Sequence, residues 1–327
     1  MSRHDRLTAR SPAPRGRRGP SSRPARARVP LGLAAAVLLV VPLAACGPGA
    51  DAPATTAGHD AAPRRLSDTE RYRLAHAEQA LIAACMTGRG QDYRVWLPLS
   101  VAESRPVGPV LDDPRWAREH GYGSRIEAKA AKAKRENPNL VHLKSLTGAR
   151  RTAYLDALTG GPDAPEMKVT LPTGATISKK LGGCTAYAEK RLYGDHRTWF
   201  TAEKTTTNLT PLYASKLTRA PAYRAAVASW SRCVRTHGYT LASPAAARDR
   251  LRTRIPKLPA DARFAAEVRL AVTEARCARE TRLRQIAQRT EDTLRAALPT
   301  RIQREIRTHS RLQRAALDRA RDIVGTS

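Results

Sequence analysis

The side chains in this chain with the chemistry to form covalent bonds or hold a metal are few: five cysteines and eight histidines among 327 residues. The cysteines are Cys46, Cys85, Cys184, Cys233 and Cys277. A cysteine can serve as a nucleophile, a metal ligand, half of a disulfide or a lipid attachment point, and its spacing and compartment decide which. No Cys-x-x-Cys occurs, and His59, His76, His120, His142, His196, His237 and His309 are scattered singly, so neither a metal centre nor a cofactor is expected. Gly-x-Ser-x-Gly, glycine-rich phosphate and dinucleotide loops, and Ser-x-x-Lys are absent as well. Gly121-Tyr122-Gly123-Ser124-Arg125 comes nearest to a nucleophile elbow, but it lacks the glycine after serine and follows no strand. It reads instead as a turn plus a helix cap. One member of Asp112-Asp113 reads as the cap before Pro114, and Asp195 and Glu203 near His196 form no recognisable constellation. No catalytic residue is assigned.

Location decides what the cysteines do. Residues 1–28 carry nine arginines against Asp5, and Val29 to Ala50 carries no charge. A basic leader, a short apolar run and small residues before a cleavage point are the layout of an export signal. The run falls short of a membrane span and is interrupted by Pro30 and Pro42 before it dissolves into Gly47-Pro48-Gly49. Leu43-Ala44-Ala45-Cys46 resembles the bacterial lipobox, in which the cysteine is acylated and becomes the first residue of the mature chain. The resemblance implies a signal peptide over 1–45 and a membrane anchor through lipid on Cys46, at the outer face of the cell membrane. Residues 46–65, small and polar, then read as a flexible tether.

The whole chain has a net charge of +29, and loss of residues 1–45 leaves +21. Such a balance suits anionic lipids, wall polymers or an envelope protein as partner. Nucleic acid is disfavoured, because aromatics make up only 5% of the chain and single strands need stacking platforms. About 260 residues follow the tether, enough for one large or two small domains.

With Cys46 acylated, four cysteines remain in an exported chain, an even number that points to two disulfides. Sequence alone allows three pairings. Cys85 and Cys233 each sit five residues before a glycine, with a tyrosine just beyond, and each closes a helical pattern. Cys184 and Cys277 each lie later, on alanine-rich helical stretches. The chain thus reads as two similar helical halves, 66–205 and 206–327, and the preferred pairs are Cys85–Cys184 and Cys233–Cys277. The Cys85-Met86 pair with its trailing glycine and tyrosine, Gly121-Tyr122-Gly123, the segment Ala153–Gly160 and the later cysteine helices also resemble a group of secreted actinomycete lipoproteins. That group has no assigned activity, and the chain departs from it at Gln91-Asp92.

The expected fold is mainly α, with at most one small β-hairpin. Ser67-Asp68-Thr69-Glu70 is a capping box opening a helix that ends near Gly88, and Ser124 to Glu127 reads as a second. Asp113-Pro114 opens a short helix to His120. The lysine-rich helix from Ser124 must stop before Asn137-Pro138, and another helix spans 147–158. Residues 167–177 alternate about Pro172-Thr173-Gly174 as the hairpin. Helices follow over 183–193, 211–218, 221–237 and 244–254. Residues 259–298 form one long helix or two, and a last helix runs to about Val324. Its stripe of Ile302, Ile306, Leu312, Ala316, Ala320 and Ile323 reads as core. In function, these features favour a binding or structural role at the cell envelope. The alternatives are an unrecognised envelope enzyme and a peptide-binding sensor or chaperone-like protein.

Overall fold

The computed structural model describes residues 64–325. The leader, the apolar run, Cys46 and the tether up to residue 63 lie outside the described residues.

The described chain is helical apart from one hairpin, as expected. Helix α1, Asp68–Thr87, starts on a complete capping box. The Ser67 hydroxyl accepts from the Glu70 amide, and the Glu70 carboxylate accepts from the Ser67 amide. Arg64 and that amide together hold the Glu70 carboxyl down to about 2. Arg65, the last residue assigned to the tether, ion-pairs with Asp292 at 3.1 Å.

Helix α2, Pro114–His120, is capped by Asp113, whose side chain accepts from the amides of Arg115 and Trp116. Helix α3 runs Ser124–Arg135, α4 Pro138–Ser145 and α5 Gly148–Thr159. Two details differ from the sequence reading. Ser124 does not cap α3: the cap position is Gly123, with no side-chain bond of its own. And Asn137-Pro138 both ends α3 and begins α4, because the Asn137 carboxamide accepts from the Asn139 amide while proline takes the first turn, where no amide is required. The hairpin pairs β1, Glu166–Thr170, with β2, Thr176–Lys180, antiparallel with Val169 opposite Ile177. Its inward residues Met167 and Val169 bury against Phe200.

Helix α6 spans Gly183–Tyr193 and α7 His196–Thr207. Helix α7 is not among the expected helices; Asp195 caps it through the Thr198 amide at 2.8 Å, and it buries Trp199 and Phe200. Then follow α8, Thr210–Arg219, α9, Pro221–Thr236, and α10, Pro244–Thr253. The stretch left as one helix or two is two: α11, Ala260–Glu280, and α12, Leu283–Ala296. Helix α13, Thr300–Val324, closes the fold and buries Ile302, Ile306, Ala316, Leu317 and Ala320.

Both disulfides form as preferred. Cys85–Cys184 joins α1 to α6, and Cys233–Cys277 joins α9 to α11. The glycine five residues after each early cysteine, Gly90 or Gly238, has a positive φ of 70° or 82°. In each case the next residue's amide turns back to the helix, Gln91 to the Met86 carbonyl and Tyr239 to that of Val234.

Each disulfide lies in a separate core. One core packs α1, α5, α6, Trp199 and the C-terminal half of α13 around Met86, Tyr154 and Leu192. The other packs Val110, Leu111, α2 and Tyr122 against α9, α10, α11 and the start of α12 around Trp230 and Leu270. Two segments depart from chain order: residues 110–122 serve the later core and α13 the earlier one.

Non-reducing peptide mapping should recover Cys85 linked to Cys184 and Cys233 linked to Cys277. Replacing either pair with alanine should cost about 2–5 kcal/mol in chemical denaturation, and slightly more for the pair that encloses the longer loop.

Candidate anion-binding cleft

The later core carries a polar interior that organises its surface. Glu267 and Glu274 lie seven positions apart on α11 and point at the α2–α3 elbow. Glu267, 2% exposed, accepts from the Tyr122 amide at 2.8 Å, the Ser124 amide at 3.1 Å and the Ser124 hydroxyl. It thus satisfies, from another helix, the first amide of α3 and one in the turn before it. Gly121 allows this approach: its φ is 62°, and a Cβ there would come within 2.8 Å of the Glu267 carboxylate. Glu274 is fully buried and accepts from the Leu111 amide at 3.2 Å, the Tyr122 hydroxyl and Arg248 at 3.4 Å. The Arg248 guanidinium lies 4.2 Å over the Tyr122 ring. Burial pushes the Glu274 carboxyl up, against the pull of Arg248, Tyr122 and the Leu111 amide.

Held this way, α2 and the end of α11 form opposite walls of a cleft of about 790 Å³. From the α2 side come Arg105, Arg115 and Arg118; from the α11–α12 junction come Arg279, Arg282 and Arg284. Two carboxylates accompany these six guanidinium groups, and both are engaged. Asp112 pairs with Arg284 at 3.0 Å and Asp113 with Arg105 at 2.9 Å. Burial raises the Asp113 carboxyl, but Arg105 and the α2 amides outweigh it and hold the group below its ordinary range. Among the described residues no ion pair engages Arg115, Arg118, Arg279 or Arg282. Four solvent-exposed positive charges therefore share a concave surface without an acidic partner, an arrangement that attracts anions.

The junction itself is unusual. Arg282, at φ 52°, is the only non-glycine residue with positive φ among the described residues. Left-handed backbone costs such a residue about 1–2 kcal/mol. The turn redirects the chain so that Leu283 is completely buried, while Arg282, Arg284 and Gln285 line the cleft. No side chain caps the start of α12, so the positive end of its backbone dipole lies among the same arginines.

The residues singled out from sequence are distributed otherwise. Asp113 is the cap before Pro114, as read, and Asp112 belongs to the cleft. Asp195 caps α7, the His196 Nδ1 lies 3.9 Å from Glu189, and Glu203 pairs with Lys204 at 2.9 Å. Two further clefts, of about 650 and 710 Å³, are also arginine-rich, and neither they nor the first is lined by a histidine. The arginines of the first cleft carry no motif; only the density of arginine around Cys277 hinted at them.

Neither a family model, a curated protein nor a solved structure matches this chain.

Replacing Glu274 with alanine should cost about 3 kcal/mol, because it strands two buried donors, the Leu111 amide and the Tyr122 hydroxyl, and the half-buried Arg248. Glu274→Gln should cost less and should change the pH profile. A buried carboxyl raised in the folded state stabilises fully below the ordinary glutamate range, and that stability is lost as pH rises through the folded value. The stability of the wild type towards denaturant should therefore fall as pH rises above that range, with Glu274→Gln flatter. Identical profiles would show that folding does not shift the Glu274 carboxyl.

Proposed function

We propose that this is a lipid-anchored protein of the cell envelope, held by Cys46 outside the cytoplasm, whose basic body binds anionic polymers or headgroups. One observation carries the binding half: the cleft in which Arg115, Arg118, Arg279 and Arg282 converge without acidic partners. Arginine presents a planar fork of donors that matches phosphate and carboxylate oxygens bidentately. The cleft is several times larger than a single phosphate group, so it suits successive charges along one chain better than an isolated ion. Two disulfides support an oxidising, extracytoplasmic location. No helix among the described residues is long and apolar enough to cross a membrane. Attachment would then rest on the acyl chains of Cys46, with the cationic surface as a second contact.

Two measurements test the two halves. Intact mass of the membrane-extracted protein should show residues 1–45 removed and acyl chains added at Cys46; an unmodified leader overturns the anchor. The unacylated mature chain should sediment with purified cell walls at low salt and be released at high salt, since exposed ion pairs are screened within about 10 Å at 0.1 M. The variant Arg279→Gln/Arg282→Gln should bind walls at least about tenfold more weakly. Equal retention by variant and wild type would remove the cleft from the reading.

A further inference from the structure

The disulfide Cys233–Cys277 has neighbours that its counterpart lacks. A His237 ring nitrogen and the two sulfurs all lie within 4.8 Å of one another. A Glu280 carboxylate oxygen is also 3.6 Å from the Cys233 sulfur. That sulfur, being oxidised, has no proton to donate, so the carboxylate gains no hydrogen bond by sitting there. The spacing explains the convergence. Cys233 and His237 are four apart at the end of α9, and Cys277 and Glu280 are three apart in the last turn of α11, so each pair shares one helix face. At the other disulfide the equivalent positions are Arg89 and Tyr187, which bind no metal.

We propose that in the reduced protein Cys233, His237, Cys277 and Glu280 form a four-ligand site for zinc. Two thiolates, an imidazole and a carboxylate are a donor set that zinc takes in tetrahedral geometry. Zinc–sulfur bonds of about 2.3 Å place two thiolates roughly 3.8 Å apart. The two Cα atoms, 5.6 Å apart, allow that separation by side-chain rotation alone. His237 and Glu280 are exposed, so both can turn inward without disturbing the core. A dithiol reductant gives two electrons and two protons to the Cys233–Cys277 bond and itself becomes a disulfide. Zinc then binds both sulfurs as thiolates, and two protons pass to solvent. The same pair of helix ends would thus be clamped covalently in one state and by a metal in the other.

The test uses the mature chain reduced with a phosphine, freed of reductant under anaerobic conditions and titrated with Co²⁺ and then Zn²⁺. The expected result is one Co²⁺ per chain with the visible and charge-transfer bands of tetrahedral thiolate coordination, displaced by one equivalent of Zn²⁺. The Cys233→Ser/Cys277→Ser variant and the oxidised protein should show no such bands. His237→Ala and Glu280→Gln should each bind at least about tenfold more weakly. Absence of the bands overturns the proposal. So do bands that survive loss of Cys233 and Cys277, and affinities unchanged in both the His237 and Glu280 variants. Where reduction lowers helicity, Zn²⁺ should restore the circular dichroism signal, and failure to restore it counts equally against the site.

Discussion

Two buried carboxylates on α11 determine how the later core is assembled. A glutamate removed from water must be given donors, and here most of them come from one short segment of the chain, Leu111 to Ser124. That requirement draws residues 110–122 away from their sequence neighbours and onto α11. It also explains the local backbone: Gly121 has no side chain because the Glu267 carboxylate occupies that space. Hydrophobic burial of Trp116, Ala117 and Tyr122 supplies the driving force, but it does not by itself set the register of the elbow. The directed hydrogen bonds do.

The other departure from chain order, by α13, obeys a different rule. Its apolar stripe is long, and the helices α1, α6 and α7 leave a matching apolar channel, so the last helix packs where the first core is open. Ile302 and Ile306, nearer its start, close a small satellite with Leu209 and Tyr213 of the α8 region. The earlier core is thus completed by the end of the chain, and the two disulfides reinforce cores that share a single compact unit. Trp199 shows how tightly this is built: its ring stacks 3.7 Å from Tyr193 and 5.2 Å from His309 of α13.

The cleft is a consequence of the first constraint. Once the elbow is fixed on α11, Asp113 must cap α2 beside the helix junction, and Arg105 and Arg284 are taken up by the two aspartates. The arginines left over have nowhere to discharge. A strained, left-handed Arg282 keeps one of them at the lip and turns the start of α12 toward the same space. Charge repulsion and backbone strain both oppose this geometry. That combination is characteristic of surfaces shaped for a partner, and it supports the reading of an anion-binding protein at the envelope.

Much of the architecture could be read from local signals. Ser67 with Glu70, Asp113 with Pro114, and the turn at Pro172-Thr173-Gly174 act within a few residues of themselves, so their outcome needs no knowledge of the fold. The disulfide pairing followed from the likeness of the segments around Cys85 and Cys233. Other features depended on partners far along the chain. Ser124 looked like a cap, but a glutamate 143 positions away took its place. The break at Arg282 contains neither glycine nor proline; it exists because Leu283 must enter the core, a demand that tertiary packing alone imposes. The six arginines of the cleft come from segments more than 160 residues apart, and repulsive charges of this kind leave no periodicity to detect. The sequence by itself determined most of the helix starts, the hairpin and a preference among the cysteine pairings, because caps, turns and cysteine spacing are local. The tertiary structure alone decided which core each helix serves and where positive charge is concentrated, because burial and electrostatics act between residues that only folding brings together.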